Sequence, residues 1–174
     1  MFRSIVVAFD GSLHASKALE IGATLAGREQ ISLGIIYVID TSHMKIPDEM
    51  RKMGEIEHIM EPIPRMRVNL ENAPANMVST MAQTSSDSEK AMFQYADFLA
   101  EQARASAKHY GAQDIEAKVL LGDPGEEVVA FARDRNADLI ISGSRGFGKL
   151  KSLLLGSTSH KIAQLAECSC LTVK

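Results

Sequence analysis

The sequence predicts an α/β fold, a three-layer sandwich in which helices cover both faces of a parallel sheet. Three observations carry this. The apolar runs Phe2–Phe9 (FRSIVVAF), Ile31–Ile39 (ISLGIIYVI) and Ala137–Ser142 (ADLIIS) lack strict polar alternation, as strands buried on both sides do. Segments with helical spacing of apolar residues separate such runs. Strand, helix and strand in that order imply a right-handed parallel crossover. The chain has 174 residues, 45% apolar and 24% charged. That composition is ordinary for a globular protein, and the length suits one domain, 1–174, that buries about 70% of its unfolded surface.

The elements follow in order. After Phe2–Phe9, Asp10-Gly11-Ser12 is a turn, with Ser12 a good helix N-cap. From Leu13 to Ala26, apolar residues recur at helical spacing, and Ile31–Ile39 is the second strand. A long helix is expected from about Asp87 to Tyr110. Ser86 and Glu89 open it as a capping box, Met92, Tyr95, Leu99, Gln102, Ala103 and Ser106 form its stripe, and Gly111 stops it. Ile115–Leu121 is a third strand. Asp123, Pro124 and Glu126 then cap a helix that runs to about Arg135. Leu139–Ser142 is the fourth strand, Lys161–Ala166 is helix-like, and Cys170–Val173 is a short fifth strand.

The middle of the chain, about 40–86, breaks this rhythm. Every methionine except Met1 lies between Met44 and Met92, and Pro47, Pro62, Pro64 and Pro74 are here too. A short helix is expected at 48–61 and loop at 69–86. The segment reads as an insertion that packs on the body, with a lid or an oligomer contact as the other reading.

Net charge of −3 gives no electrostatic basis for a nucleic-acid partner. No run approaches the ~20 apolar residues of a membrane span, and the first apolar run ends at Asp10, so no membrane insertion and a cytoplasmic location are expected. Cys168 and Cys170 stand about 6.5 Å apart on one face of a strand, poorly placed for a disulfide. They are expected to be buried thiols, and no metal site is expected.

The chemistry concentrates after the fourth strand, at Gly143-Ser144-Arg145-Gly146 and Gly156-Ser157-Thr158. Glycines let a backbone approach an anion, and a helix start offers N–H groups to it. Arg145, Lys149, Lys151 and Lys161 cluster nearby. Gly143-x4-Gly148-Lys149 nearly forms a P-loop, but Leu150 stands where a hydroxyl must meet Mg²⁺. The dinucleotide GxGxxG pattern also fails, in spacing and in strand position.

What fits is G-x2-G-x9-G-(S/T), met by Gly143, Gly146, Gly156 and Ser157. With Asp10-Gly11-Ser12 after the first strand and Gly122-Asp123-Pro124 before a helix, the chain resembles the universal stress proteins over 1–40 and about 88–174. The resemblance implies a five-stranded parallel sheet of order 3-2-1-4-5 in a homodimer of the ATP-binding branch. It places Asp10 at the adenosine end, with Ala8 and Phe9 backbone nearby and Val38 flanking adenine. Gly143, Ser144, Arg145 and Gly146 would wrap ribose and phosphates, and Gly156, Ser157 and Thr158 would donate to phosphates. The ligand is then ATP, with or without Mg²⁺, or AMP or ADP. The family's common cysteine–proline pair at the last strand is absent: Ser169 follows Cys168.

No hydrolytic set is legible, because the five histidines are scattered and no acidic pair marks a metal. The expected function is a nucleotide-dependent regulatory or stress-response dimer acting on an unidentified protein partner, with little or no hydrolysis. A weak ATPase or phosphotransferase and a nucleotide-free structural dimer are the alternatives.

Overall fold

A computed structural model describes residues 2–40, 85–146 and 155–174, with 85–93 as helix backbone. The elements are β1 (Ser4–Ala8), α1 (Leu13–Glu29), β2 (Ser32–Asp40), α2 (Ser85–His109), β3 (Ile115–Gly122), α3 (Pro124–Asp134), β4 (Leu139–Gly143), α4 (Ser157–Leu165) and β5 (Ser169–Val173). All strand pairs are parallel and the order is β3-β2-β1-β4-β5. The expected fold and strand order both hold.

Side-chain alternation sorts the core into two layers. Ile5, Val7, Leu33, Ile35 and Ile141 point to one face and pack with Leu19 of α1 and Leu99 of α2. Val6, Ile36 and Ile140 point to the other and pack with Val128 and Phe131 of α3 and Ile162 of α4. Burying such side chains stabilises by about 1.5–3 kcal/mol each, so the two layers hold the strand ends in fixed register.

Several boundaries differ from expectation, each for a physical reason. Helix α1 passes through Gly27 to Glu29, and Gln30 takes the left-handed cap at φ 54°. A Cβ at position 27 would lie 2.5 Å from the Gly111 carbonyl oxygen. That glycine therefore serves close packing, not helix termination. Ser86, expected as an N-cap, lies inside α2. The buried stripe of α2 is Ala96, Leu99, Ala100, Ala103 and Ala107, while Tyr95 is 39% exposed and Gln102 and Ser106 face solvent. Small alanines let α2 approach α1 closely, which rotates the helix away from its larger side chains. Helix α4 starts one turn earlier than Lys161, at Ser157. Cys168 is half-buried and Cys170 exposed, against the expected burial, because β5 is an edge strand. The expected helix at 48–61 and loop at 69–86 lie outside the described residues. No helix among the described residues is long and apolar enough to cross a membrane.

Candidate functional site

The connections reverse direction between β1 and β4, which pair from Ile5–Leu139 to Ala8–Ser142. In an open parallel sheet the ligand crevice lies beyond the carboxyl ends of the two strands at that reversal. Here those ends run into Asp10-Gly11-Ser12 and Gly143–Gly146, so the two sequence motifs meet.

They touch through Asp10 and Ser12. The Asp10 Oδ1 accepts the Ser12 N–H at 2.9 Å. A Cβ on Gly146 would lie 2.4 Å from the other oxygen, Oδ2. The Ser12 Oγ donates to the Arg145 carbonyl at 3.3 Å and accepts the Ala15 N–H at 3.3 Å as the α1 N-cap. A Cβ on Gly143 would lie 2.8 Å from the Ala15 nitrogen. The glycine loop thus rests directly on the first turn of α1, and a side chain at either glycine would lift it away.

Ser144 ties the loop to the other end of the site. It is 2% exposed; its N–H donates to the Val173 carbonyl at 2.6 Å, and its carbonyl accepts the Gly156 N–H at 2.7 Å. The N–H groups of Ser144 and Gly156 are therefore committed within the protein. Those at the start of α4 belong to Ser157, Thr158 and Ser159. The N-cap there is Gly156, which brings no side-chain acceptor, whereas Ser12 caps α1 and Asp123 caps α3. A helix start of this kind carries partial positive charge and unsatisfied donors. Ser157 and Arg145 are exposed and Thr158 half-buried.

An apolar wall stands on the same side of the sheet as α4. Ala8, Val38 and Leu120 are half-buried over the Val6–Ile36–Ile140 layer, with Val38 opposite Leu120 in register. Phe9 turns the other way. Its ring lines a cavity of about 140 Å³ between α1 and α2, and its N–H donates to the Ile36 carbonyl at 2.9 Å. Only its backbone borders the crevice. Tyr37 packs on the same side as Phe9, against the α1–α2 layer, and burial, with Tyr95 and Asp10 nearby, pushes its hydroxyl up.

The basic cluster is weaker than the sequence suggested. Lys161 is held by Asp123 at 3.0 Å and Glu126 at 2.7 Å, so its charge is balanced locally. Burial opposes ionisation of Asp123, but the N–H groups of Glu126 and Gly125 and the Lys161 ammonium outweigh it and hold the carboxyl below its ordinary range. Lys149 and Lys151 lie outside the described residues. Among the described residues no group of three or more His, Cys, Asp or Glu could hold a metal ion. Two residues were not singled out for the site: Ser12 as the link to Arg145, and Leu120 in the apolar wall. The first is hidden behind its N-cap role, and the other needs the strand register.

The fold and the site define a doubly wound α/β protein whose crevice joins a carboxylate to an uncapped helix start across a glycine loop. A model of the universal stress protein family matches residues 1–63 and 71–174. The chain belongs to the universal stress protein family. The match takes in much of the middle segment as well as both ends. The chain is 29% identical over 174 residues to universal stress protein YxiE of Bacillus subtilis, with 100% of each covered. It is 28% identical over 176 residues to a universal stress protein of Thermus aquaticus, again with 100% of each covered. Among solved structures it is similar to a universal stress protein in complex with cAMP. The TM-score is 0.60 at 21% identity, covering 99% of this chain and 96% of that one. It is also similar to the Archaeoglobus fulgidus universal stress protein in complex with dAMP. There the TM-score is 0.59 at 16% identity, covering 99% and 98%.

Proposed function

We propose that this protein binds an adenine nucleotide, ATP foremost, in the β1–β4 crevice and acts as a nucleotide-dependent regulatory homodimer with little or no hydrolysis. The observation that carries the reading is the junction of Asp10, Gly146, Ser12 and Arg145, followed across Ser144 by the uncapped start of α4. A carboxylate accepts from ribose hydroxyls or an adenine amino group and repels phosphate. An uncapped helix N-terminus attracts phosphate. The two ends therefore orient a nucleotide, with adenine against Val38, Ala8 and Leu120. Because Gly146 abuts Asp10, it belongs to the ribose end, and Ser157 and Thr158 to the phosphate end. The similar structures solved in complex with cAMP and dAMP support an adenylate as the ligand.

A regulatory role fits the chemistry better than turnover. Rapid phosphoryl transfer needs a positioned water and a firmly held metal, and the described residues near α4 offer an exposed His160 and a lysine already held by two carboxylates. Calorimetry with ATP, ADP, AMP and cAMP tests the binding. Failure of all four to bind at millimolar concentration refutes it. Turnover with Mg²⁺ near 1 s⁻¹ or faster would make the protein an enzyme. Sedimentation with and without ATP tests the dimer.

A further inference from the structure

Gly122 closes β3 without a side chain, and the carboxyl of Glu127 fills the place a side chain would take. A Cβ on Gly122 would lie 2.6 Å from the Glu127 Oε1, 2.9 Å from its Cγ and 3.0 Å from its Cδ. Glu127 therefore folds back from the first turn of α3 onto the carboxyl end of the strand. Gly122 is still in register with Asp40 of β2. Strand alternation fixes the face. Leu120 belongs to the α3–α4 layer with Val38 and Ala8, and Gly122 follows it by two residues. The Glu127 carboxyl thus comes next after Leu120 on the face of the apolar wall, roughly 6.5 Å further along the strand.

Its neighbours in that turn are committed elsewhere. Asp123 caps α3 and, like Glu126, binds Lys161. Among the described residues, no hydrogen-bond donor or cation meets the half-buried Glu127 carboxyl. Burial, and after it the charges of Glu126 and Asp123, push this carboxyl up. A half-buried acceptor without a donor carries an uncompensated desolvation cost, which a ligand donor would relieve.

The sheet spaces this group from the rest of the site. Neighbouring strands lie about 4.8 Å apart, so β3 stands roughly 9–10 Å from β1. A base laid on Ala8, Val38 and Leu120 runs from β1 over β2 to β3. The amino-bearing edge of adenine is the edge turned away from the sugar, so it arrives beside Glu127. We propose that Glu127 reads the base: its carboxyl accepts a hydrogen bond from the adenine 6-amino group and leaves Asp10 to the ribose hydroxyls. This assignment rests on the nucleotide reading above and names the base end of the same crevice. The carboxyl keeps an accepting oxygen whether ionised or protonated, so the contact survives the upward push. A purine with a carbonyl oxygen at that position sets two acceptors against each other when the carboxyl is ionised.

Calorimetry on the intact chain compares ATP with purine riboside 5′-triphosphate, which lacks only the amino group, and with GTP. Wild type should bind ATP about 10-fold more tightly than the analogue, the effect of one hydrogen bond to a charged acceptor. Glu127→Ala should close that gap to within about twofold, by weakening ATP and leaving the analogue unchanged. Glu127→Gln keeps an accepting oxygen and should keep most of the preference. A preference that persists at full size in Glu127→Ala overturns the proposal while the crevice stands. Equal weakening of ATP and the analogue means that the side chain supports the fold rather than the base, and overturns it too. So does a wild type that prefers GTP, because the carboxyl then reads the guanine N1–H and 2-amino donors. Failure of wild type to bind any of the three is a different result, which refutes the crevice itself.

Discussion

Gly146→Ala is the sharpest probe of the proposed site. The new Cβ would lie 2.4 Å from the Asp10 Oδ2 and 3.6 Å from its Cγ. The oxygen contact is about 1 Å inside the ordinary C···O separation of ~3.3–3.6 Å, so something must move. Asp10 is short, and its Oδ1 is held by the Ser12 N–H. If the carboxylate turns away, a hydrogen bond to a charged group is lost, worth about 1.5–3 kcal/mol when well formed. If the loop moves instead, the bond from the Ser12 Oγ to the Arg145 carbonyl at 3.3 Å is lost, worth about 0.5–1.5 kcal/mol. Asp10 is half-exposed, so the lower ends apply, and a cost of about 1–2 kcal/mol is expected. For a chain of this length that lowers Tm by about 2–8 °C. Either movement also displaces the carboxylate proposed to hold the nucleotide, and ATP affinity should fall about 10- to 100-fold.

A double-mutant cycle separates this cause from general damage. Asp10→Ala removes the atom that Gly146→Ala strikes. In the double variant the stability cost of Gly146→Ala should largely vanish, while ATP affinity stays low. Urea unfolding measures the coupling and calorimetry the affinity. Contacting residues couple by about 0.5–3 kcal/mol, and independent ones add within about 0.3–0.5 kcal/mol. Additive stabilities would mean that Asp10 and Gly146 do not touch, and the orientation proposed for the nucleotide would fall with that contact.

Further outcomes follow from the same geometry. Ser12→Ala removes both the α1 cap and the link to Arg145. It should cost about 1–2 kcal/mol in chemical denaturation and weaken ATP binding too, whereas Asp123→Ala, a cap outside the crevice, should lower stability with little change in affinity. Asp123→Asn isolates the charge. The folded carboxyl lies below its ordinary value near 3.9, so its stabilisation is full above that pH and is lost as pH falls through the folded value. The difference between wild type and variant should be largest near neutrality, below about 1 kcal/mol because the group is exposed, and should close in acid. Gly27→Ala sets a Cβ 2.5 Å from the Gly111 carbonyl, a backbone atom that cannot rotate aside. Thermal unfolding should show a loss despite alanine's better helix propensity of about 1 kcal/mol; a gain in Tm would mean that α1 and the Gly111 turn are not in contact.

What the sequence made legible was local, and what it hid was pairwise. Buried strands announce themselves as apolar β-branched runs, and the capped helices as Ser12 or Asp123 before a periodic stretch. The α2 stripe was misjudged because periodicity weights large residues such as Tyr95, whereas close packing on α1 selects Ala96, Ala100 and Ala103. Lys161 looked available to an anion because its partners, Asp123 and Glu126, are about 35 residues away in the chain and adjacent only once α3 and α4 pack. The arrangement of the proposed site was half legible for the same reason. Glycine spacing marked the loop, and Gly156 stood at the start of a helix where the other two capped helices carry an oxygen-bearing side chain. That omission becomes meaningful only when Ser144 is seen to bind the Gly156 N–H and carry α4 back to the end of β4. An uncapped helix facing solvent is merely a weaker helix. One tied to the strand-order reversal, a single residue from the Arg145 peptide and two from the Asp10 carboxylate contact at Gly146, sets its positive end beside the crevice proposed to take the phosphates.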